Sequence, residues 1–199
     1  MKTNQLKFSL LSLVLMIGTA TFSQAFKTGN TIISVGYGVP NLNKSFFRVF
    51  NNEQNFKVTG YGPIHAKVEY GVSDRIGFGL SVNHVGAGIS YTDVSNNNNY
   101  NYNLKWSNTK INARMNIHFS KSEKLDAYWG FGLGYGFGQA KWTSTDPNAD
   151  FENQGLRNIF PFGFETTLGA RYYLTPKLGI YAEVGPAKSL IQGGLCFKI

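Results

Sequence analysis

A single cysteine, Cys196, in 199 residues excludes an intramolecular disulfide, so hydrogen bonding and packing must hold the chain together. Charge is scarce at 15% of residues, and acids are the scarcer sign, 11 against 19 Lys+Arg. Long apolar runs are missing as well. Only residues 8–17 stand out, well short of the ~20 residues that a membrane-crossing helix needs, which excludes a helical membrane bundle. Glycine (23), phenylalanine (16) and tyrosine (11) are abundant instead, a composition suited to many alternating strands on a pleated surface. The class is all-β, and at this length one domain is expected.

Residues 1–25 combine a basic start (Lys2, Lys7), the apolar stretch 8–17, and Ser23 and Ala25 at the −3 and −1 positions of a cleavage site. That is the pattern of a secretory signal peptide, which divides the chain into a signal at 1–25 and a mature domain at 26–199. No cysteine follows the signal to accept a lipid. Removing Lys2 and Lys7 lowers the formal net charge from +8 to +6. With no Lys/Arg block and with export from the cytoplasm, no nucleic-acid partner is expected; a modest positive balance suits anionic lipid headgroups.

Read at period two, the mature chain contains eight segments in which one parity carries nearly all the bulky apolar residues. They begin with Ile33-x-Val35-x-Tyr37-x-Val39 and continue through residues 64–72, 76–83, 110–119, 127–138, 162–173, 178–185 and 191–199. The fifth is the clearest, with Trp129, Phe131, Leu133, Tyr135 and Phe137 alternating with five glycines from Gly130 to Gly138. Short polar turns at 73–74, 120–125 and 175–176 alternate with long joints at 40–60, around 96–99 and at 144–159; the short joint 186–189 breaks the rule. An even number of strands with short turns on the side of both termini describes an eight-stranded antiparallel up-and-down transmembrane β-barrel.

Size decides which face is wet. Roughly 40 bulky side chains cannot all enter an eight-stranded barrel, whose interior is just wide enough for side chains or one small ligand. A soluble periplasmic barrel around a small apolar ligand is therefore the weaker reading. With the apolar parity facing lipid, Tyr37, Tyr70, Phe78, Phe119, Trp129, Phe137, Phe162 and Tyr172 fall towards segment ends as membrane-interface aromatics.

The opposite parity collects Lys67, Glu69, Lys110, Arg114, Glu165, Arg171, Glu183 and Lys198, the three glutamates being the only acids inside the segments. Charges enclosed in a narrow barrel must pair, so a network that plugs the lumen is expected in place of an ion-selective pore. No catalytic residue, cofactor or metal site is expected. His84 with Ser81 or Ser90 and Asp93 is the one arrangement that a lipid A-modifying enzyme could use, and Asn83-His84-Val85-Gly86 lacks the His-x-Ser spacing of the deacylases.

Segments three to five exceed the ~9–11 residues of a membrane-crossing strand. Their outer parts change parity near Asn83/His84, Ser107 and 137–140, which suggests β-bulges at the rim and a ribbon beyond it. Phe46, Phe47, Arg48, Phe50 and Phe56 in the first long joint, with Tyr100 and Tyr102 beside the Asn-rich tip, are candidate surface contacts.

With the signal, the eight segments and the apolar parity ending at Leu195, Phe197 and Ile199, the mature chain resembles the OmpA/OmpX-like small outer-membrane barrels. The last residue given is Ile199 where that family usually has an aromatic, and no OmpA-type periplasmic domain is expected after the eighth segment. The resemblance implies a monomer in the Gram-negative outer membrane, assembled by the barrel-assembly machinery and in contact with outer-membrane lipid and lipopolysaccharide. Its outer loops and protruding strands would meet an unidentified surface ligand or protein.

Overall fold

The computed structural model describes residues 24–41, 45, 56–95, 98–149, 161–187 and 189–199. Residues 1–23 of the expected signal lie outside the described residues, as do Phe46, Phe47, Arg48 and Phe50. Eight strands run in chain order: β1(Thr31–Val39), β2(Lys57–Gly71), β3(Ile76–Ser95), β4(Asn98–His118), β5(Leu125–Ser144), β6(Phe162–Tyr173), β7(Leu178–Val184) and β8(Ile191–Lys198). Each pairs antiparallel with the next, and β8 returns to β1 along Ile32↔Lys198 to Val39↔Ile191, closing the barrel. Closure gives each strand a partner on both sides through the central wall, as hydrocarbon requires, while the outer parts of β2 and β5 and the start of β6 pair on one side only.

The side chains sort by parity as the alternation dictates. On β6, Phe162 is 77% exposed on the outer face and Glu165 is 1% exposed in the lumen. The exposed face carries Ile33, Val35, Leu80, Leu133 and Leu168, and the buried positions include Glu69, Arg114, Arg171 and Glu183. An apolar outside around a charged inside is the inverse of a soluble barrel, so the reading of a soluble carrier with an inward apolar face is overturned.

Strand lengths divide the barrel into two levels. β1, β6, β7 and β8 have 9, 12, 7 and 8 residues, whereas β2 to β5 have 15, 20, 21 and 20. The four long strands continue past the others as a ribbon, and β2 joins the three expected from the sequence. The Asn-rich stretch is not a long joint. Ser95 pairs with Asn98, so β3 and β4 meet in a two-residue connection and Asn98, Asn99 and Tyr100 belong to β4.

The expected bulges on β3, β4 and β5 are also absent. Pairing runs unbroken from Ile76↔Ile117 to Ser95↔Asn98, and from His118↔Tyr128 to Tyr102↔Ser144. Among the described residues the register shifts only between β2 and β3, at Tyr61/Ile64, where Gly62 and the buried Pro63 interrupt β2. Proline has no N–H for a ladder bond and belongs at such a break. The parity change in β3 to β5 is thus a change in the chemistry of each face, with the faces themselves continuous.

At the end holding both termini the turns are tight, with Val72 N–H donating to Ile76 O (3.0 Å) and Leu174 N–H to Leu178 O (2.9 Å). The segment before β1 docks there. Ala25 N–H donates to Ser122 O (2.9 Å), Lys198 Nζ donates to Ala25 O (3.1 Å), and the Phe26 ring stacks on His118 with centroids 3.4 Å apart. Ala25, Phe26, Ile32, Tyr173, Tyr181 and Cys196 form the buried apolar cluster of this end.

Candidate functional site

Period-two alternation aims one side chain in two at the axis, and in a barrel this narrow residues from opposite strands meet. Glu183 on β7 is the hub. Its carboxylate forms an ion pair with Lys67 Nζ (2.7 Å) and accepts from Arg114 Nη2 (3.1 Å), Tyr128 OH (2.7 Å), Thr167 OH (2.9 Å) and Gln192 Nε2 (2.7 Å), drawing β2, β4, β5, β6 and β8 to one point. Arg114 also reaches Glu165 through Nη1 (2.9 Å), and Glu165 accepts from Ser81 (2.8 Å) and Asn83 (3.3 Å) on β3. Such charge-assisted bonds satisfy acceptors that would otherwise be costly to bury.

A second cluster lies towards the terminal end. Arg171 pairs with Glu69 and with Asp126 (3.0 Å), and His118 sits between the same two acids, Nε2 to Glu69 and Nδ1 to Asp126 at 2.7 Å each. Both ring nitrogens can donate at once only in the imidazolium form. In that form the two clusters hold Lys67, Arg114, Arg171 and His118 against Glu69, Asp126, Glu165 and Glu183. Tyr128 joins the clusters, its hydroxyl on Glu183 and its ring 4.2 Å from the Arg171 guanidinium.

Six of the eight residues expected in the lumen network are therefore brought together: Lys67, Glu69, Arg114, Glu165, Arg171 and Glu183. Lys110 stands apart, its Nζ donating to Phe162 O (3.1 Å) near the outer mouth, and Lys198 lies at the terminal end over the Tyr173 ring (4.5 Å). The three glutamates are not the only acids in the strands, because Asp126 is the second residue of β5 and 1% exposed. Parity could have found it, since it shares that of Tyr128; starting the segment at Ala127 hid it.

Glycine makes the room. A Cβ on Gly130 would strike the Arg114 guanidinium, and one on Gly134 the Ile111 carbonyl. The void left between Ile32, Ser34, Lys67 and Arg171 is about 10 Å³. That is no more than one water needs. Towards the outer mouth His65 closes the stack, with Nδ1 on Asn83 and Nε2 3.3 Å from Ser189 Oγ.

All eight expected interface aromatics are on the exposed outer face. Tyr37, Phe137 and Phe162 lie towards the ribbon end of their strands; Tyr70, Phe78, Phe119, Trp129 and Tyr172 lie towards the terminal end.

A family model, "Outer membrane protein beta-barrel domain", matches residues 9–191. The chain belongs to that family. No curated protein matches the sequence. Solved structures similar to it include a de novo designed transmembrane β-barrel (14% identity, TM-score 0.45, covering 87% of this chain and 98% of that one). Others are Ail, the attachment invasion locus protein of Yersinia pestis (14%, 0.40, 86% and 95%), and the N-terminal barrel domain of Pseudomonas aeruginosa OprF (13%, 0.43, 89% and 100%).

In outer-membrane barrels the short turns are periplasmic and the longer loops extracellular, and the ribbon lies at the end away from the tight turns. At its base, on the outer wall of this β-barrel, His84 engages Tyr61 OH through Nε2 and Thr109 Oγ1 through Nδ1, both at 2.8 Å. The structure does not bring it together with the serines considered for catalysis. Ser81 is in the lumen on Glu165, and Ser90 lies six residues farther along β3, ~20 Å at strand rise. Among the described residues no group of His, Cys, Asp and Glu could hold a metal ion.

The ribbon's inward parity carries Val85, Ala87, Leu104, Trp106, Tyr91 and Tyr102, of which Val85 is wholly buried. Tyr102 stacks on Tyr91 (4.8 Å) and donates its hydroxyl to Asp146 Oδ2 (2.8 Å), a bond that pushes the Tyr102 pKa up to about 12. Tyr100 shares this inward parity, and Phe56 is half-buried.

Proposed function

We propose that this protein is a non-conducting, non-catalytic barrel whose task is to hold the β2–β5 ribbon above the outer membrane for contact with a surface ligand or protein. The observation that carries the reading is the pair of ion clusters in the lumen, packed around a void of about 10 Å³. An eight-stranded wall leaves no room for a water column beside them. The exposed aromatics support anchoring in lipid at both interfaces, and a barrel closed on itself by β1 and β8 needs no second copy, so it acts as a monomer. The apolar N-terminal stretch serves as the cleaved export signal, with the cut ahead of the buried Ala25, and the exported chain is inserted by the barrel-assembly machinery.

Two measurements test this. In planar bilayers the purified protein should give no discrete conductance steps; steady ohmic channels would overturn the plug. Surface attachment of cells carrying the whole barrel should exceed that of cells whose residues 88–105 are replaced by Asn-Gly between the paired Ala87 and Trp106. Equal attachment on every surface tried would remove the ribbon from the function.

A further inference from the structure

Above the membrane the outward face of the ribbon has an unusual charge distribution. Lys57, Lys105 and Lys141 lie on it, and among the described residues no Asp or Glu of β2 to β5 does, since Asp93 is on the inward parity. Lys105 and Lys141 are register partners on β4 and β5, side by side on one face. Like charges directly opposite each other destabilise a sheet. Neither has an ion pair among the described residues.

The two lysines border a groove of about 550 Å³ walled by Tyr61, Ser107 and Gln139, within the usual range of small-molecule sites. Its floor is Gly86 and Gly88, where a Cβ would run into the Tyr61 ring or come within 2.9 Å of Thr59 Oγ1. Depth fixes what the groove meets. Thr109↔Phe137 is the last outward pair of the exposed apolar wall; Ser107↔Gln139 and Lys105↔Lys141 follow at two and four residues, ~7 and ~13 Å farther along the strands. Acyl chains against Phe137 would therefore end in a headgroup at the height of the lysines.

We infer that this groove binds the phosphorylated headgroup of an outer-leaflet glycolipid, with Lys105 and Lys141 holding a phosphate between them and Ser107 and Gln139 bonding the sugar. The anion relieves the Lys–Lys opposition, and the Tyr61 ring, which lies over Gly86, offers the sugar a flat face at the side of the groove. The inference rests on the proposed outward orientation of the ribbon.

The test uses the full barrel in detergent micelles with purified diphosphorylated lipid A as probe, bound lipid being read by native mass spectrometry. K105Q/K141Q should lose roughly tenfold in affinity, a loss that shrinks as salt rises. Enzymatically dephosphorylated lipid A should bind both proteins equally weakly, and millimolar inorganic phosphate should not displace the lipid. Unchanged affinity in the double variant overturns the site, and so does displacement by phosphate alone. K121Q/K124Q, at the periplasmic turn, should match the parent; if that pair alone weakens binding, the orientation has failed and the site with it.

Discussion

The same three strands build two opposite surfaces. On β3, β4 and β5 the membrane level places Phe78, Leu80, Ile111, Met115 and Leu133 outside and Ser81, Asn112 and Arg114 inside. Above the rim, with the pairing unbroken, the outward parity carries Gly86, Gly88, Ser107, Lys105, Gln139 and Lys141, and the inward one Val85, Ala87, Leu104 and Trp106. Backbone geometry is common to both levels, so the solvent alone sets which face is apolar. Lipid takes hydrocarbon outside and forces charge to pair within; water takes lysine and glutamine outside and lets the inward face become a small apolar core.

The comparison breaks hardest in the lumen. Arg114→Ala leaves Glu165 and Glu183 without their shared cation, and removing one partner of a buried pair costs ~3–5 kcal/mol. The urea midpoint in lipid vesicles should fall accordingly, and discrete conductance should appear as water enters. Arg114→Met and Lys67→Met combined with Glu165→Gln and Glu183→Gln should recover much of the stability, because no charge of this cluster is then left unpaired. Failure of the single variant to destabilise would mean that these charges do not hold the wall.

A sharper version places one residue type on one face of one strand at two heights. Leu133 and Gln139 share the outward parity of β5, one in the apolar wall and one in the ribbon. Arginine on the lipid face near the midplane costs ~2–4 kcal/mol, so Leu133→Arg should lower the unfolding free energy by about that much. Gln139→Arg, in water, should stay within ~0.5 kcal/mol of the parent. Equal costs would mean that both positions see the same medium.

Most of the wall was legible because period two is a strong signal wherever lipid and lumen impose opposite chemistry. The ends of β6 coincide with its apolar run, and the six central lumen charges were found by parity alone. The outer ribbon was legible only as an anomaly. Its inverted faces mimic a register slip, and a sequence without neighbours cannot distinguish an inserted residue from a change of solvent. At the lower end, Asp126 was missed because its neighbour Leu125 is exposed at the strand's first position, where the alternation has barely begun. His118 was placed on the right parity, but its two carboxylates come from β2 and β5, and only the closed register brings them to it.

In the ribbon, Tyr102 supplies a prediction of moderate size. Its pKa of about 12 comes first from the bond to Asp146, so the bonded neutral phenol contributes below the ordinary tyrosine value and the contribution is lost as pH rises through about 12. Ultraviolet titration should show one fewer late-ionising tyrosine in Asp146→Ala than in the parent, while the change in gel mobility on heating expected of a closed barrel is the same in both.

The smallest effect is expected at the rim of tight turns, outside both levels. Asp74 accepts from the Thr28 N–H (3.0 Å) and hydroxyl (2.7 Å), tying the segment before β1 to the β2–β3 turn. These bonds, the backbone one first, hold the Asp74 carboxyl below its ordinary range. A depressed carboxylate contributes above its unfolded pKa, and the contribution is lost as pH falls through the lowered value. Acid should therefore loosen the strap without opening a wall closed by backbone bonds. Exchange of the Thr28 amide should accelerate in Asp74→Ala at neutral pH and in the parent only under strongly acidic conditions, the gel shift staying constant in both. If the variant instead lost its gel shift, the strap would be part of the closure, and the separation between rim and wall would have to be abandoned.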